Sequence, residues 1–288
     1  MKSNRLSAKE WSERIVLALL FTAIAAFILI YFNPWLGSKL GRVDDYLSKI
    51  GVSIVLLVAA LLARRSKSLG KYWQVLFALF ILTVAMSLDL VFGKYTINHL
   101  GIIDKTPAGW AFAKLNECFV VVCVIVTFTL ASGGSLGSIF IQKGNLKLGL
   151  IIGTILFLLF AAGSIPMATL FNAQDLSLAR IIPWIPWILI FVLANGTLEE
   201  LLFRGLFLRK LESFVGKFLS VFLVAFIFTG LHSWVSYTAD NRIFIAVTFP
   251  LALALGYIMQ KTDSVWGSIL LHAGMDIPIM LGTFSLLS

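Results

Sequence analysis

Asn195 to Leu208 reads NGTLEELLFRGLFL, two carboxylates and a guanidinium set inside a run that otherwise has the composition of a lipid-soluble helix. On a helix, Glu200 and Arg204 stand four apart on one face and can pair, whereas Glu199 lies about 100° round the axis. One acid is neutralised and its neighbour is left over. An ionisable group at bilayer depth costs a few kcal/mol on insertion scales, so two adjacent acids point to a task. The bland alternative is a helix end dipping into the headgroups, with Glu200 and Arg204 as a purely structural pair.

The rest of the chain supports a membrane setting. Of its 288 residues, 59% are hydrophobic and 13% charged, and the mean hydropathy is +0.96, which excludes an ordinary soluble domain. The fold class expected is all-α, a polytopic membrane helical bundle of about eight or nine transmembrane helices. Windows of about 20 residues, the length that crosses some 30 Å of hydrocarbon, place spans at 15–32, 49–63, 73–92, 115–131, 148–171, 182–208, 218–237, 243–259 and 264–287. The second is short, the fifth has Pro166 near its end as a kink, and 132–147 with its four glycines is a loop or surface helix. The basic lead-in MKSNRLSAKEWSER runs into an apolar stretch longer than a signal-peptide core, so an uncleaved first span is expected.

The net charge of +9 is read by position, because basic residues gather on the cytoplasmic side whatever the function. With the N-terminus inside, inner segments hold 15 of the 23 basic residues and outer segments 8. A cell-membrane protein with a cytoplasmic N-terminus follows, and no nucleic-acid partner is implied. Cys118 and Cys123 match neither a CxxC redox pair nor a metal clip and read as packing residues. Asp89 and Glu117, acids within early spans, read as structural hydrogen-bonding groups. Trp184 and Trp187 read as an interfacial belt.

Two later spans carry histidine: Phe228-Thr229-Gly230-Leu231-His232, and His272-Ala273-Gly274-Met275-Asp276 with His272 and Asp276 four apart. Glu199 lies about 16 residues before the turn near 214–216 and His232 about 16 after it, so each is some 24 Å from that turn and the two face each other at one depth. His272, eight residues into the last span from the same side, falls at a similar level. Three helices thus deliver Glu199, His232, His272 and Asp276 to one plane near mid-bilayer.

The order EExxxR (Glu199, Glu200, Arg204), FxxxH (Phe228, His232), HxxxD (His272, Asp276) resembles the CPBP family, the CAAX prenyl proteases of the Ras-converting type together with bacteriocin-processing or immunity proteins, also called the Abi family. The resemblance covers about Asn145 to Ile277, and KGNLKLGLIIG at Lys143 to Gly153 is similar to the lead-in of that family. The family more often has Asn where this chain has Asp276. Residues 1–140 match no such pattern and are expected as N-terminal membrane helices of unknown role, with 141–288 as the protease core.

The resemblance implies an intramembrane endopeptidase acting on a membrane-embedded or lipid-modified peptide. These motifs hold no Ser or Cys nucleophile paired with a base, and HExxH is absent. Glu199 would take a proton from water and His232 would help hold that water. His272 and Asp276 would bind the oxyanion, Asp276 donating only if protonated and otherwise orienting His272; Glu200 with Arg204 would fix the helix. The competing ligand set is zinc on Glu199, His232 and His272 with an open fourth position; metal-free catalysis is favoured because zinc would occupy the base. The alternative of another class is a non-catalytic scaffold or self-immunity protein. A transporter would predict inverted repeats, which the sequence lacks.

Overall fold

The structure, a computed structural model, describes residues 7–32, 42–103, 105–235, 237–238 and 240–287. The first six residues of the basic lead-in and the outer loop 33–41 lie outside the described residues. Among those described there is helix and turn and no strand. The helices are α1 (Ala8–Phe32), α2 (Arg42–Arg65), α3 (Trp73–Phe92), α4 (Tyr95–Leu100), α5 (Pro107–Ala131), α6 (Leu146–Ala162), α7 (Ser164–Ala168), α8 (Leu178–Glu199), α9 (Leu206–Val215), α10 (Lys217–His232), α11 (Asn241–Thr262) and α12 (Trp266–Ser285). Among the described residues, seven continuous helices are long and apolar enough to cross a membrane, or eight if the bent pair α6 and α7 is one span. This is a multi-pass membrane protein of the expected all-α class.

The outward surface explains the composition. Leu19, Leu62, Phe119 and Phe218 are 66%, 62%, 69% and 81% exposed, an exterior fit for acyl chains rather than water. Cys123 is exposed on this surface, so the packing role expected for it fails; Cys118, half-buried, sits against the core. The opposite extreme is α12. Of its central stretch, 78% is buried, against 22% for the same measure in α2 and α5. It is the helix the others surround.

Small residues let α12 sit so deep. A Cβ on Gly267 would stand 2.6 Å from the carbonyl oxygen of Gly149, and one on Gly153 would stand 2.7 Å from that of Gly267. The backbones of α6 and α12 therefore touch, the membrane device in which close van der Waals approach replaces a hydrophobic drive that lipid cannot supply. Gly196 does the same for α8, where a Cβ would be 3.0 Å from the Ile269 carbonyl oxygen.

The first, second and fourth spans begin earlier than expected, at Ala8, Arg42 and Pro107, and three boundaries in the C-terminal half differ as well. The fifth span breaks at Gly163 and turns by 67° into Ser164–Phe171, the bend falling just before Pro166, whose missing N–H is tolerated in the first turn of α7. The sixth does not stop at Arg209-Lys210 but continues as one helical run, Leu178–Val215. At 38 residues that run is roughly 55 Å long, nearly twice the hydrocarbon thickness. The seventh stops at His232 after 16 residues instead of reaching Tyr237. Gly216, at φ 84°, makes the turn between α9 and α10, a backbone region glycine reaches without Cβ strain. The two tryptophans are half-buried, Trp184 edge-on to Phe284 and Trp187 tilted on Phe112.

The main apolar core joins both halves of the chain: Phe21, Ile28, Leu82 and Ile125 pack with Phe203, Leu206, Val224 and Phe228. Gly267→Leu is expected to lower the thermal midpoint of detergent-purified protein, at a cost of about 1–3 kcal/mol or more for forcing α6 and α12 apart. Gly51→Leu on α2, whose Cβ would meet nothing within 4 Å, should leave the midpoint within error.

Candidate active site

The continuous run through α8 and α9 is interrupted at the site. Glu200–Gly205 is a π-helical segment in which Leu206 N–H reaches back to the Leu201 carbonyl. Such wide turns insert a residue into a helix and recur at functional positions. Gly205 sits on the inner side of this turn, where a Cβ would be 3.2 Å from the Ile139 carbonyl oxygen.

Glu200 and Arg204 are fully buried, and Arg204 Nη1 donates to Glu200 Oε1 at 2.8 Å. Arg204 Nη2 also donates to the Ala252 carbonyl of α11 at 3.3 Å. Its guanidinium lies 4.3 Å over the Phe228 ring, so Phe228 supplies a π face to a cation that cannot be hydrated. Phe228 in turn stands edge-on to Phe203 and to His272. Glu200 does more than fix its own helix: the same Oε1 accepts from His272 Nδ1–H at 2.8 Å. With the Ala252 carbonyl of α11, Glu200, Arg204 and His272 of α12 form one network spanning three helices.

Glu199 points the other way round the helix, as the sequence requires. Its Oε2 lies 3.8 Å from His232 Nε2 and 3.5 Å from His272 Nε2. That oxygen is buried and has no hydrogen-bond partner. His232 is the last residue of α10, and its Nδ1 is 2.8 Å from the Phe228 carbonyl. A carbonyl only accepts, so Nδ1 carries the proton and Nε2 of the neutral ring presents a lone pair toward Glu199.

Asp276 Oδ2 is 3.8 Å from His272 Nε2, beyond hydrogen-bond reach, and accepts instead from Asn195 Nδ2 at 2.9 Å. Orientation of the His272 ring therefore comes from Glu200, not from Asp276. Asn195 is the residue sequence reasoning passed over, although it opens the quoted stretch; an amide in an apolar helix one turn before two acids was the signal. Lys114 is the second. It projects from α5 with its Nζ 2.5 Å from Glu117 and 5.6 Å from the Phe191 ring centroid of α8, and its charge acts on Glu199. Glu117 thus finds the partner expected of it. Asp89 does not, since its buried Oδ1 has no hydrogen bond. Tyr237, in the loop after α10, has its phenol pushed up to about 12 by burial, with Glu199 adding to the shift against the pull of Lys114. It stays a neutral O–H donor over any physiological pH.

The donor types of Glu199, His232 and His272 suit zinc, which needs three such atoms within about 2.0–2.2 Å of one point. Among the described residues no group of three His, Cys, Asp or Glu side chains is arranged to hold a metal ion.

Residues 181–278 match the family model described as type II CAAX prenyl endopeptidase Rce1-like, so this stretch of the chain is similar to the CAAX protease (CPBP) family. It contains each motif residue from Glu199 to Asp276, and it excludes Lys114. No curated protein and no solved structure matches the chain.

Replacing Arg204 by Leu would leave Glu200 buried and unpaired, at a cost of roughly 3–5 kcal/mol. Arg204→Leu is expected to unfold well below the parent in a detergent melt, and Arg204→Leu with Glu200→Gln to recover part of that loss.

Proposed function

We propose that the chain is an intramembrane endopeptidase that hydrolyses a peptide bond of a membrane-associated or lipid-modified protein with water activated by Glu199. The observation that carries this reading is the unpartnered Glu199 Oε2 faced by two imidazole nitrogens at 3.8 and 3.5 Å. A gap of 3.8 Å between two acceptors is spanned by one water at ordinary hydrogen-bond lengths of about 2.8 Å. That water donates one hydrogen to Glu199 and the other to the lone pair of His232. Its own lone pair is left free to attack.

Attack on the scissile carbonyl carbon forms the new C–O bond as Glu199 takes the proton. The carbonyl oxygen becomes an oxyanion. His272 in its doubly protonated form meets it with Nε2–H while Nδ1–H stays on Glu200, so the acceptor on one side of the ring aims the donor on the other. Asp276 and Asn195 close the same wall. As the C–N bond breaks, Glu199 passes its proton to the departing amine, and the carboxylate is regenerated. No metal step is needed for this balance. In this reading residues 141–288 form the catalytic core, and the N-terminal helices brace it and bring Lys114 beside Glu199.

Segments assigned to the inner side of the membrane meet at one end of the bundle. Arg14 donates to the Val215 carbonyl, Tyr72 stacks on Phe214, and Arg209 pairs with Asp263. The clustering of these basic ends supports a cytoplasmic N-terminus in the cell membrane.

The test uses S-prenylated peptides with a cysteine near the C-terminus, the CAAX class named by the family description, and the purified protein in detergent. Glu199→Gln and His232→Ala are each expected to lower cleavage by roughly 10²–10⁴-fold with unchanged melting behaviour. Cleavage that survives Glu199→Gln would mean a scaffold or immunity role in place of catalysis. Loss of cleavage on chelation together with stoichiometric zinc would mean that Glu199, His232 and His272 rearrange to bind metal.

A further inference from the structure

Far from Glu199, at the basic end of the bundle, α1, the turn Gly70–Tyr72 and the end of α9 enclose an open cavity of about 350 Å³. Glu10, Glu13, Arg14 and Leu17 reach it from α1 at helical spacing on one stripe, and Lys71 and Phe214 close it from the other two elements. Its wall carries two carboxylates and two cations. The cations are positioned: Arg14 Nη1 is tied to the Val215 carbonyl at 3.2 Å, which leaves the other guanidinium donors uncommitted, and Lys71 Nζ lies 4.9 Å over the Tyr72 ring, which stacks on Phe214. Glu10 is held by Ser7 through its backbone N–H and hydroxyl at 2.7 and 2.8 Å. Glu13 makes no ion pair among the described residues.

Below the charged rim the wall turns apolar at Leu17 and Phe214, and on the same side of α1, three and seven residues past Leu17, Leu20 and Ile24 are exposed at 54% and 37%. The cavity therefore opens at headgroup level and leads onto a lipid-facing helix surface. We infer that it binds the headgroup of a phospholipid bearing both a phosphate and a primary ammonium, a phosphatidylethanolamine, with its acyl chains along α1. The phosphate lies between Arg14 and Lys71, which offer it charge-assisted donors. The ammonium donates to Glu13 and Glu10. A quaternary choline has no N–H to give these carboxylates, and a purely anionic headgroup brings no ammonium to them at all.

The test titrates delipidated full-length protein in detergent with phosphatidylethanolamine, phosphatidylcholine or phosphatidylglycerol, reading bound lipid by native mass spectrometry and the thermal midpoint in parallel. Neither readout depends on peptide cleavage. Phosphatidylethanolamine is expected to bind about ten-fold more tightly than the other two and to raise the midpoint most. Arg14→Gln with Lys71→Gln should weaken the binding of all three lipids, since each carries the phosphate, and Glu13→Gln should narrow the margin over both phosphatidylcholine and phosphatidylglycerol. Lys71→Gln alone carries the cationic arm if the double variant fails to fold. Soluble glycerophosphoethanolamine should not displace the lipid, since the α1 track supplies part of the binding. Equal response to the three lipids, preference for phosphatidylglycerol, full displacement by the soluble headgroup, or binding undiminished by loss of both cations would each overturn the assignment.

Discussion

A guanidinium sealed from solvent is the constraint from which the C-terminal half is built. Arg204 is fully buried, and such a charge persists only where a counter-charge and hydrogen-bond acceptors meet it. Glu200 supplies the counter-charge, Ala252 a carbonyl from α11, and Phe228 a ring face from α10. Satisfying one side chain therefore brings three helices together at a fixed register. His272 of α12 completes the set because Glu200 Oε1 accepts from it as well. Once these partners are in place, the adjacent residue Glu199 has no choice of direction, and it faces the two imidazole nitrogens.

Much of this was legible in the sequence because it follows from spacing. EExxxR dictates a paired acid and a spare one, and equal distances of Glu199 and His232 from the Gly216 turn dictate that they meet. Hydropathy alone located most spans, and α3 runs from Trp73 to Phe92 as its apolar window indicates. What spacing could not supply was the local winding. A π segment has no composition of its own, so Glu200–Gly205 read as ordinary helix, and the role of Glu200 on His272 went with it. The end of α10 at His232 was equally hidden, since Trp234 and Val235 extend the apolar run while the chain turns away beneath them. Cys123 failed for a different reason: a thiol in an apolar helix is compatible with core or lipid, and only the rotation of α5 decides which.

The N-terminal helices have no motif, yet they are part of one core with the rest. Ile28 and Leu82 pack in the same cluster as Leu206 and Phe228, and α5 carries Lys114 to the edge of the site. The family match begins only at residue 181. The matched stretch holds the polar side chains of α8, α10 and α12, and the helices before it flank them and add the charge of Lys114.

The brevity of α10 has a thermodynamic meaning for the proposed hydrolysis, which consumes a reagent insoluble in hydrocarbon. Sixteen residues amount to roughly 24 Å of helix, less than the thickness of the acyl region. The chain leaves the helix at His232, where the side chains of His232 and Glu199 keep 20% and 17% of their surface open. Hydration can thus extend down from the loop side to meet the pair at the point where the wall of α10 runs out. Each turnover is then resupplied from bulk solvent over a short drop, and the apolar seal around Arg204 need never be breached to let it in.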